Sequence, residues 1–211
     1  MERTAAEDLR LVELARAGDQ GALDELFTRY RDRLRRMVDL RLDRRLLGRV
    51  DASDVVQEGY VDAVQRLPDY LADPQLPLFL WLRFVVGDRL GKIHRQHLGT
   101  QARDASLEVS LFRAPLPAAS SAALAARLLG KHTSPTEAAV RAEQLLRVQE
   151  AVNALDPLDR EIIALRNFEE LSRAEAARAL GIEQAAAAKR YMRALKRLKD
   201  VLGAEPGSEA I

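Results

Sequence analysis

Hydrophobic residues recur at helical spacing through most of this chain, and alternating strand patterns are nearly absent. Three apolar stripes in the first half each predict the buried face of an amphipathic helix. The stripes are Leu23, Leu26, Phe27, Tyr30, Leu34, Met37 and Val38; then Val55, Val56, Tyr60, Val61, Val64 and Leu67; then Phe79, Leu82, Val86, Leu90, Ile93 and His97. Gly18 and Gly48 punctuate this part of the chain. Pro68, Pro74 and Pro77 predict a loop between the second and third helices.

The pattern changes after residue 98. Residues 99–135 contain Pro115, Pro117 and Pro135 among many Ala and Ser residues, and only Ser120 to Leu129 has a weak helical pattern. Such a composition is typical of a linker between domains. We therefore expect an all-α protein with two small helical domains, residues 1–98 and 140–211, joined by a flexible linker over 99–139.

Helix-start signals open the second domain. The residues Ser134-Pro135-Thr136-Glu137 provide a cap, a proline at the first helical position and an acid at the third. Asp156-Pro157 repeats the signal. The apolar positions predicted to be buried are Leu145, Val148, Val152, Leu155, Ile162, Ile163 and Leu165.

The segment from Ser172 to Lys199 has the layout of a DNA-reading helix-turn-helix. Ser172 and Glu175 fit a capping box, and Gly181 fits a left-handed turn. Ala177, Leu180, Ile182 and Ala187 are apolar where the unit must pack inward. From Lys189 to Lys199 the second helix carries basic residues and no acidic one: Lys189, Arg190, Arg193, Lys196, Arg197 and Lys199. We expect this helix to enter the major groove of duplex DNA.

Composition and charge narrow the class of protein. The formal net charge is +1, so nucleic-acid binding has to be inferred from clusters of basic residues rather than from the total. There is no cysteine, and His94 with His97 lacks a third ligand, so we expect neither a metal site nor a cofactor. No nucleophile–base set or phosphate loop indicates an enzyme. The start of the chain does not fit a signal peptide, and no apolar run would insert into a membrane; we expect a cytoplasmic protein.

A polar face accompanies the second stripe. Asp54, Gln57, Glu58 and Asp62 recur at helical spacing opposite the valines, and such an acidic face can dock a basic helical partner. The alternative is purely local: Asp54 and Gln57 could form a capping box, with Asp51 favoured by the helix dipole.

The third predicted helix combines aromatic and basic residues. Its aromatic residues are Phe79, Trp81 and Phe84, and its basic residues are Arg83, Arg89, Lys92, His94 and Arg95. This mixture suits melted DNA, whose exposed bases stack on aromatic rings. Phe79 itself is better explained as a core residue.

Three blocks in this order resemble an extracytoplasmic-function sigma factor of bacterial RNA polymerase. DASDVVQEGYVDAVQRL is similar to the family's region 2.2, FLWLRFVVGDRLGKIHRQ to regions 2.3–2.4, and the segment from Leu155 to Lys199 to region 4. Together the blocks cover roughly residues 8–98 and 140–202.

The resemblance implies a function and a set of site residues. The factor would bind core RNA polymerase, direct promoter-specific initiation and leave the reaction to the polymerase, so it would not be an enzyme. Polymerase would be bound by Asp54, Gln57 and Glu58. The minus-ten promoter element would be bound by the loop from Pro68 to Leu78 and by Trp81, Arg83, Asp88, Arg89, Lys92 and Arg95. The minus-thirty-five element would be bound by Arg173, Gln184, Ala185, Ala186, Ala188, Lys189, Arg190, Arg193 and Arg197. An anti-sigma factor or another regulator is a further candidate partner.

The chain departs from the family pattern at several positions. The recognition helix begins with four alanines, Ala185 to Ala188, which cannot hydrogen-bond to bases. Asp88 replaces a usual Asn, and the linker lacks the common acidic bias. Two alternatives therefore stay open: a stand-alone helix-turn-helix regulator, and a sigma-like interaction protein held by a partner.

Overall fold

The structure is a computed structural model that describes residues 2–98, 116–130 and 138–203. Every regular element within these ranges is helical, which confirms the all-α fold class. The chain divides into two compact units, Met1–Pro117 and Ala118–Ile211. Among the described helices, none is long and apolar enough to cross a membrane.

In the part of the first unit that the structure describes there are four helices. They are α1 (Glu2–Arg16), α2 (Gln20–Arg41), α3 (Ala52–Ala72) and α4 (Leu78–Leu98), with a short 3-10 turn at Arg44–Leu46. Helix α2 packs against α1, α3 and α4, and α3 packs along α4. All seven residues of the first predicted stripe are buried, so α2 has the predicted inward face.

The predicted inward face of α3 is partly wrong. Val61 and Val64 are 50% and 42% exposed, whereas Gly59, Asp62 and Ala63 are buried. Gly59 lies directly against Val86 of α4, so that a Cβ on Gly59 would stand 3.0 Å from the Val86 Cα. The missing side chain lets the two helices approach closely, and this contact decides which face of α3 turns inward.

The start and end of α3 also differ from the prediction. Asp51 is the N-cap, and its carboxylate accepts a hydrogen bond from the Ser53 N–H at 2.6 Å, so Asp54 and Gln57 do not form the cap. Pro68 lies inside the helix, which continues to Ala72. The predicted loop from Pro68 to Leu78 is therefore half helix, and only residues 73–77 connect α3 to α4.

Helix α4 largely follows its predicted stripe. Phe79, Leu82, Val86, Leu90 and Ile93 are buried, as expected, but His97 is exposed. His94 turns inward instead, and its Nε2 accepts a hydrogen bond from the Asp43 N–H at 3.3 Å. Burial lowers the pKa of His94, which favours the neutral ring that this hydrogen bond requires.

Over residues 118–130 and 138–203, the second unit contains five helices. They are α5 (Ser121–Leu128), α6 (Ala138–Asn153), α7 (Pro157–Ile163), α8 (Arg173–Leu180) and α9 (Gln184–Gly203), and a π-helical turn at Ala164–Phe168 follows α7. Asp156 caps α7, with Pro157 at the first helical position, as predicted. Most of the predicted apolar face is buried, namely Val148, Val152, Leu155, Ile162, Ile163 and Leu165, whereas Leu145 is only half-buried. The predicted helix start at 134–137 lies outside the described residues.

Helix α5 lies within the stretch predicted to be a linker. Ser120 caps it, and Leu124 and Ala125 are fully buried. Helix α5 packs on α6 and is grouped with the second unit. The weak helical pattern from Ser120 to Leu129 is therefore a packed helix. Residues 99–115 and 131–137 of that stretch are outside the described residues, and the predicted domain limits stay predictions.

Helices α8 and α9 form the predicted helix-turn-helix. Ser172 Oγ accepts from the Glu175 N–H at 3.1 Å, and the Glu175 carboxylate accepts from the Ser172 N–H at 2.7 Å. Gly181 has φ 57°, the left-handed conformation that ends α8. Ala177, Leu180 and Ala187 are buried where the two helices pack, and Ile182 is half-buried.

Candidate polymerase and DNA-binding surfaces

The exposed side of α3 combines acidic, amide and apolar side chains. Asp54, Gln57 and Glu58 are exposed, and Val61 and Val64 continue the same side of the helix. We call these five residues the α3 face. Asp62, predicted to belong with the acidic residues, is instead 8% exposed and turns toward α4. Sequence reasoning missed the two valines because it assigned them to the core.

Asp62 joins α3 to α4 through Arg89. The Arg89 Nε donates to Asp62 Oδ2 at 2.9 Å, and Nη2 donates to Oδ1 of the same carboxylate. A longer ion pair of 3.7 Å joins Arg89 Nη1 to Glu58 at the edge of the α3 face. The hydrogen bond to Asp62 raises the pKa of Arg89. Arg89 is therefore engaged within the fold rather than presented as an isolated cation.

Asp88 is balanced by two cations. Its Oδ2 accepts from Arg66 Nη2 at 3.0 Å and pairs with Lys92 Nζ at 3.2 Å. Burial raises the pKa of Asp88, but the hydrogen bonds from Arg66 and Lys92 outweigh burial and leave the pKa below its ordinary value. Asp88 stays charged, and the repulsion that it would exert on a DNA phosphate is offset by these neighbours.

The remaining predicted minus-ten residues differ in accessibility. Trp81 is half-buried and stacks on Tyr70, with ring centroids 4.4 Å apart, and the Tyr70 hydroxyl donates to the Leu76 carbonyl at 2.9 Å. Arg95 is exposed. Arg83 is only 5% exposed, so a direct contact with DNA would require its side chain to leave the helix packing.

The first turns of α9 present an almost bare surface. Gln184, Ala185, Ala186 and Lys189 are exposed, while Ala188 is half-buried. Arg173 at the start of α8 and Arg197 farther along α9 are also exposed. Helix N-terminal turns that carry small side chains can come close to base edges and to thymine methyl groups.

Arg190 and Arg193 are not free cations on this helix. Both donate to Asp159 of α7, a residue that is fully buried. Arg190 Nη1 lies 2.7 Å from Asp159 Oδ1, and Arg193 donates from Nε to Oδ2 at 2.9 Å and from Nη2 to Oδ1 at 2.8 Å. Arg190 also pairs with Asp156 at 3.2 Å. Burial raises the pKa of Asp159, yet the hydrogen bonds from Arg193 and Arg190 leave its pKa below the ordinary value.

Sequence reasoning missed Asp159 because its only visible role was to favour a helix start. Its partners lie 31 and 34 residues away along the chain, so no local pattern connects them. Within the described ranges, no group of three histidine or acidic side chains could hold a metal ion.

Comparisons with known proteins bear on both units. The family model for sigma-70 region 4 matches residues 145–198, which include the helix-turn-helix. No curated protein matches the chain. Among solved structures, CnrH in complex with the cytosolic domain of CnrY is 25% identical, has a TM-score of 0.55, and is matched over 94% of this chain and 99% of that one.

Two other solved structures are more distant. The sigma factor RpoE of Bartonella quintana, in complex with the anti-sigma factor NepR, is 18% identical, with a TM-score of 0.48 and coverage of 86% of this chain and 97% of that one. The chain matched in an RsbN–BldN complex is 19% identical, with a TM-score of 0.33 and coverage of 90% and 98%.

The second unit thus carries a sigma-70 region 4 domain, which defines the class of protein. The region 4 match and the likeness to CnrH support the expectation from the resemblance, an RNA polymerase sigma factor of the extracytoplasmic-function type that acts in transcription initiation.

Proposed function

We propose that this sigma factor docks on core RNA polymerase through the α3 face. The observation that carries the proposal is the alignment of Asp54, Gln57 and Glu58 with Val61 and Val64 on one exposed side of the helix. Apolar side chains supply contact area that loses water on binding, and carboxylates select a basic partner surface. Val61 and Val64 are 50% and 42% exposed and so place apolar surface beside the acidic side chains.

The test is co-elution of the purified full chain with bacterial core RNA polymerase on a sizing column, without DNA. Asp54→Lys should abolish stoichiometric co-elution, because Asp54 is exposed on the α3 face and the substitution reverses the charge that a basic partner would meet. Glu58→Lys would also face Arg89, 3.7 Å from the native carboxylate, and is therefore less specific.

Asp32→Lys is the matched control, since it makes the same charge change at an exposed position of α2. Co-elution that survives Asp54→Lys, or that is lost equally in Asp32→Lys, would contradict the assignment of the α3 face.

We further propose that the two units read two promoter elements. The α4 surface around Trp81, Lys92 and Arg95 is assigned to the minus-ten element, where melted bases can stack beside an aromatic ring and basic groups hold the backbone. The first turns of α9, with Gln184 and Lys189 as their polar donors, are assigned to the minus-thirty-five duplex. Lys189→Ala should weaken binding to the selected upstream element more than binding to unrelated duplex.

The partners of the proposed function are core polymerase, promoter DNA and a regulatory protein. CnrH is in complex with the cytosolic domain of CnrY, and by analogy we include an anti-sigma protein as a regulator of this chain. Sigma factors in general are not enzymes, and here too bond formation is assigned to the polymerase. We place the protein in the cytoplasm, where bacterial polymerase acts.

Two other functions make different predictions in the same experiment. A stand-alone regulator would bind palindromic duplex as a dimer without polymerase. A sigma-like interaction protein would bind neither polymerase nor DNA; the bare alanine surface of α9 is the observation in its favour.

A further inference from the structure

The buried carboxylate of Asp159 stands behind the proposed DNA surface of α9. Ala187, Ala194 and Leu198 form the buried seam of α9. Ala186, Lys189 and Arg193 follow one another at i, i+3 and i+7, so they share a side of the helix away from that seam. Arg193 therefore reaches Asp159 from the border of the proposed DNA surface.

The two arginines are held in different ways. Arg193 uses Nε and Nη2 in a two-point pairing with Asp159, and its side chain is still 51% exposed. Arg190 uses Nη1 for both Asp159 and Asp156, and its side chain is 28% exposed. A two-point pairing fixes the plane of a guanidinium group as well as its position. The Nη1 group of Arg193 takes no part in the pairing.

The cluster of Asp156, Asp159, Arg190 and Arg193 can orient a hydrogen-bond donor but adds little net charge. Asp156 and Asp159 balance Arg190 and Arg193, so the four side chains are together close to neutral. A neutral cluster contributes little to the general attraction of DNA, which depends on uncompensated cations. An oriented N–H donor can still bond to one phosphate, and such contacts set the position of a recognition helix on the duplex.

We propose that Asp159 is a positioning residue for promoter recognition: it holds Arg193 so that the free Nη1 group donates to a phosphate of the upstream element and fixes the register of the bare first turns of α9. The inference rests on the proposed function, since it requires α9 to bind that element. An alanine-lined helix has few directional contacts with bases, and a fixed phosphate anchor beside it compensates for their absence.

The experiment uses the full chain assembled with bacterial core polymerase and a duplex promoter library in which the upstream element is randomised. The most enriched sequence is then compared with its scrambled version, for the wild type and for Asp159→Asn. The variant removes one negative charge and one fixed acceptor. We expect the preference for the enriched sequence to fall about tenfold, the loss typical of a charge-assisted hydrogen bond, while affinity for scrambled duplex stays equal or rises because net positive charge increases.

A purely structural role predicts something else. If Asp159 only fastens α7 to α9, affinities for enriched and scrambled duplex will fall by the same factor and the preference will not change. That result would overturn the proposal.

Arg193→Lys covers the case in which Asp159→Asn does not fold. Lysine keeps the charge but cannot form the two-point pairing, and Arg190 still satisfies Asp159. We expect the preference to fall as in Asp159→Asn, with an unchanged salt dependence. Arg178→Lys, at an exposed position of α8 outside the residues assigned to DNA, is the matched control and should keep the preference. An equal loss in both lysine variants would overturn the special role of Arg193.

The wild-type result distinguishes a failure of the proposed function from a failure of the role proposed for Asp159. A wild-type assembly that enriches no upstream sequence contradicts the proposed function itself. A wild type that enriches a sequence, with Asp159→Asn and Arg193→Lys enriching it equally well, contradicts only the role of Asp159.

Discussion

Both units fasten two helices together with a buried carboxylate and an arginine, but the pairs differ in what they leave exposed. In the first unit Asp62 of α3 pairs with Arg89 of α4, and the side chains are 11% and 27% exposed. In the second unit Asp159 of α7 is fully buried and serves two arginines of α9, of which Arg193 is 51% exposed. The first arrangement turns its cation toward the fold, whereas the second leaves about half of the Arg193 side chain at the surface.

The difference shows that a carboxylate–arginine pair can either fasten two helices together or also hold an arginine at the surface. A buried ion pair adds little net stability compared with an apolar replacement, because removing both groups from water offsets their attraction. Removing one member alone is costly. The cost should be largest where the carboxylate is deepest and has most partners, which ranks Asp159 above Asp62.

The largest expected effect is therefore that of Asp159→Ala. We expect this substitution to lower the free energy of unfolding of the second unit by about 3 kcal/mol, because it leaves two arginines without their common acceptor. Asp62→Ala should cost about 1 kcal/mol, since Arg89 keeps Glu58 nearby and Asp62 is less deeply buried than Asp159. Urea unfolding followed by circular dichroism measures both, and equal costs would remove the distinction between the pairs.

The close approach of α3 and α4 should be the next most sensitive feature. Gly59→Ala places a Cβ 2.7 Å from Val86 Cγ2 and 3.0 Å from the Val86 backbone, and should cost about 2 kcal/mol by overpacking. The chain contains one tryptophan, Trp81 in α4, so its fluorescence follows unfolding of the first unit.

Gly87→Ala is the matched control on α4. Its new Cβ would stand 1.8 Å from Leu116 Cδ2 and 2.8 Å from Leu116 Cγ, so the Leu116 side chain must swing away, but no backbone atom is in the way and alanine is the better helix former. We expect a change within about 0.5 kcal/mol. A loss as large as that of Gly59→Ala would mean that Leu116 is held rigidly.

The smallest expected effect is a difference in pH dependence between the units. The pKa of His94 is lowered by burial, so its contribution to stability is complete above the unfolded value of about 6.5 and is lost as the pH falls below it. The pKa of Asp159 is also lowered, but its contribution is lost only as the pH falls below about 4.

As the pH falls from about 6.5 to about 4, the first unit should lose stability and the second should not, and the loss should be less than about 1 kcal/mol. Thermal unfolding of the first unit, followed by Trp81 fluorescence from neutral pH to about pH 4.5, should show this loss. His94→Gln keeps an acceptor for the Asp43 N–H and should abolish it; a slope that persists in His94→Gln would assign the dependence to other groups.

Much of this fold could be predicted from the sequence because its signals are local. The capping box of Ser172 and Glu175, the left-handed turn at Gly181 and the cap at Asp156 each depend on residues a few positions apart. The inward face of α2 could be predicted because its apolar stripe is continuous. Asp54, Gln57 and Glu58 are exposed where the pattern put them, although their role in docking stays a prediction.

The predictions for α3 were wrong where the sequence is compatible with two structures, either in the face that turns inward or in the position of the helix end. Helix α3 has valines on one side and the small residues Gly59 and Ala63 on the other, and hydrophobicity alone favoured the valines. Pro68 predicts a loop because proline lacks the N–H that a helix interior uses, but the helix continues past it to Ala72.

The sequence by itself determined the helices, their caps, the helix-turn-helix and the resemblance to a sigma factor, since each rests on residues that are neighbours in the chain or on one helix face. Only the tertiary structure decided that Asp62 turns inward to Arg89 and that Asp159 holds Arg193. Both pairings join residues far apart in sequence, and no local sequence pattern indicates which distant residue a carboxylate will pair with. The packing of one helix on another selects that partner, because a buried charge must be matched by whatever the neighbouring helix provides.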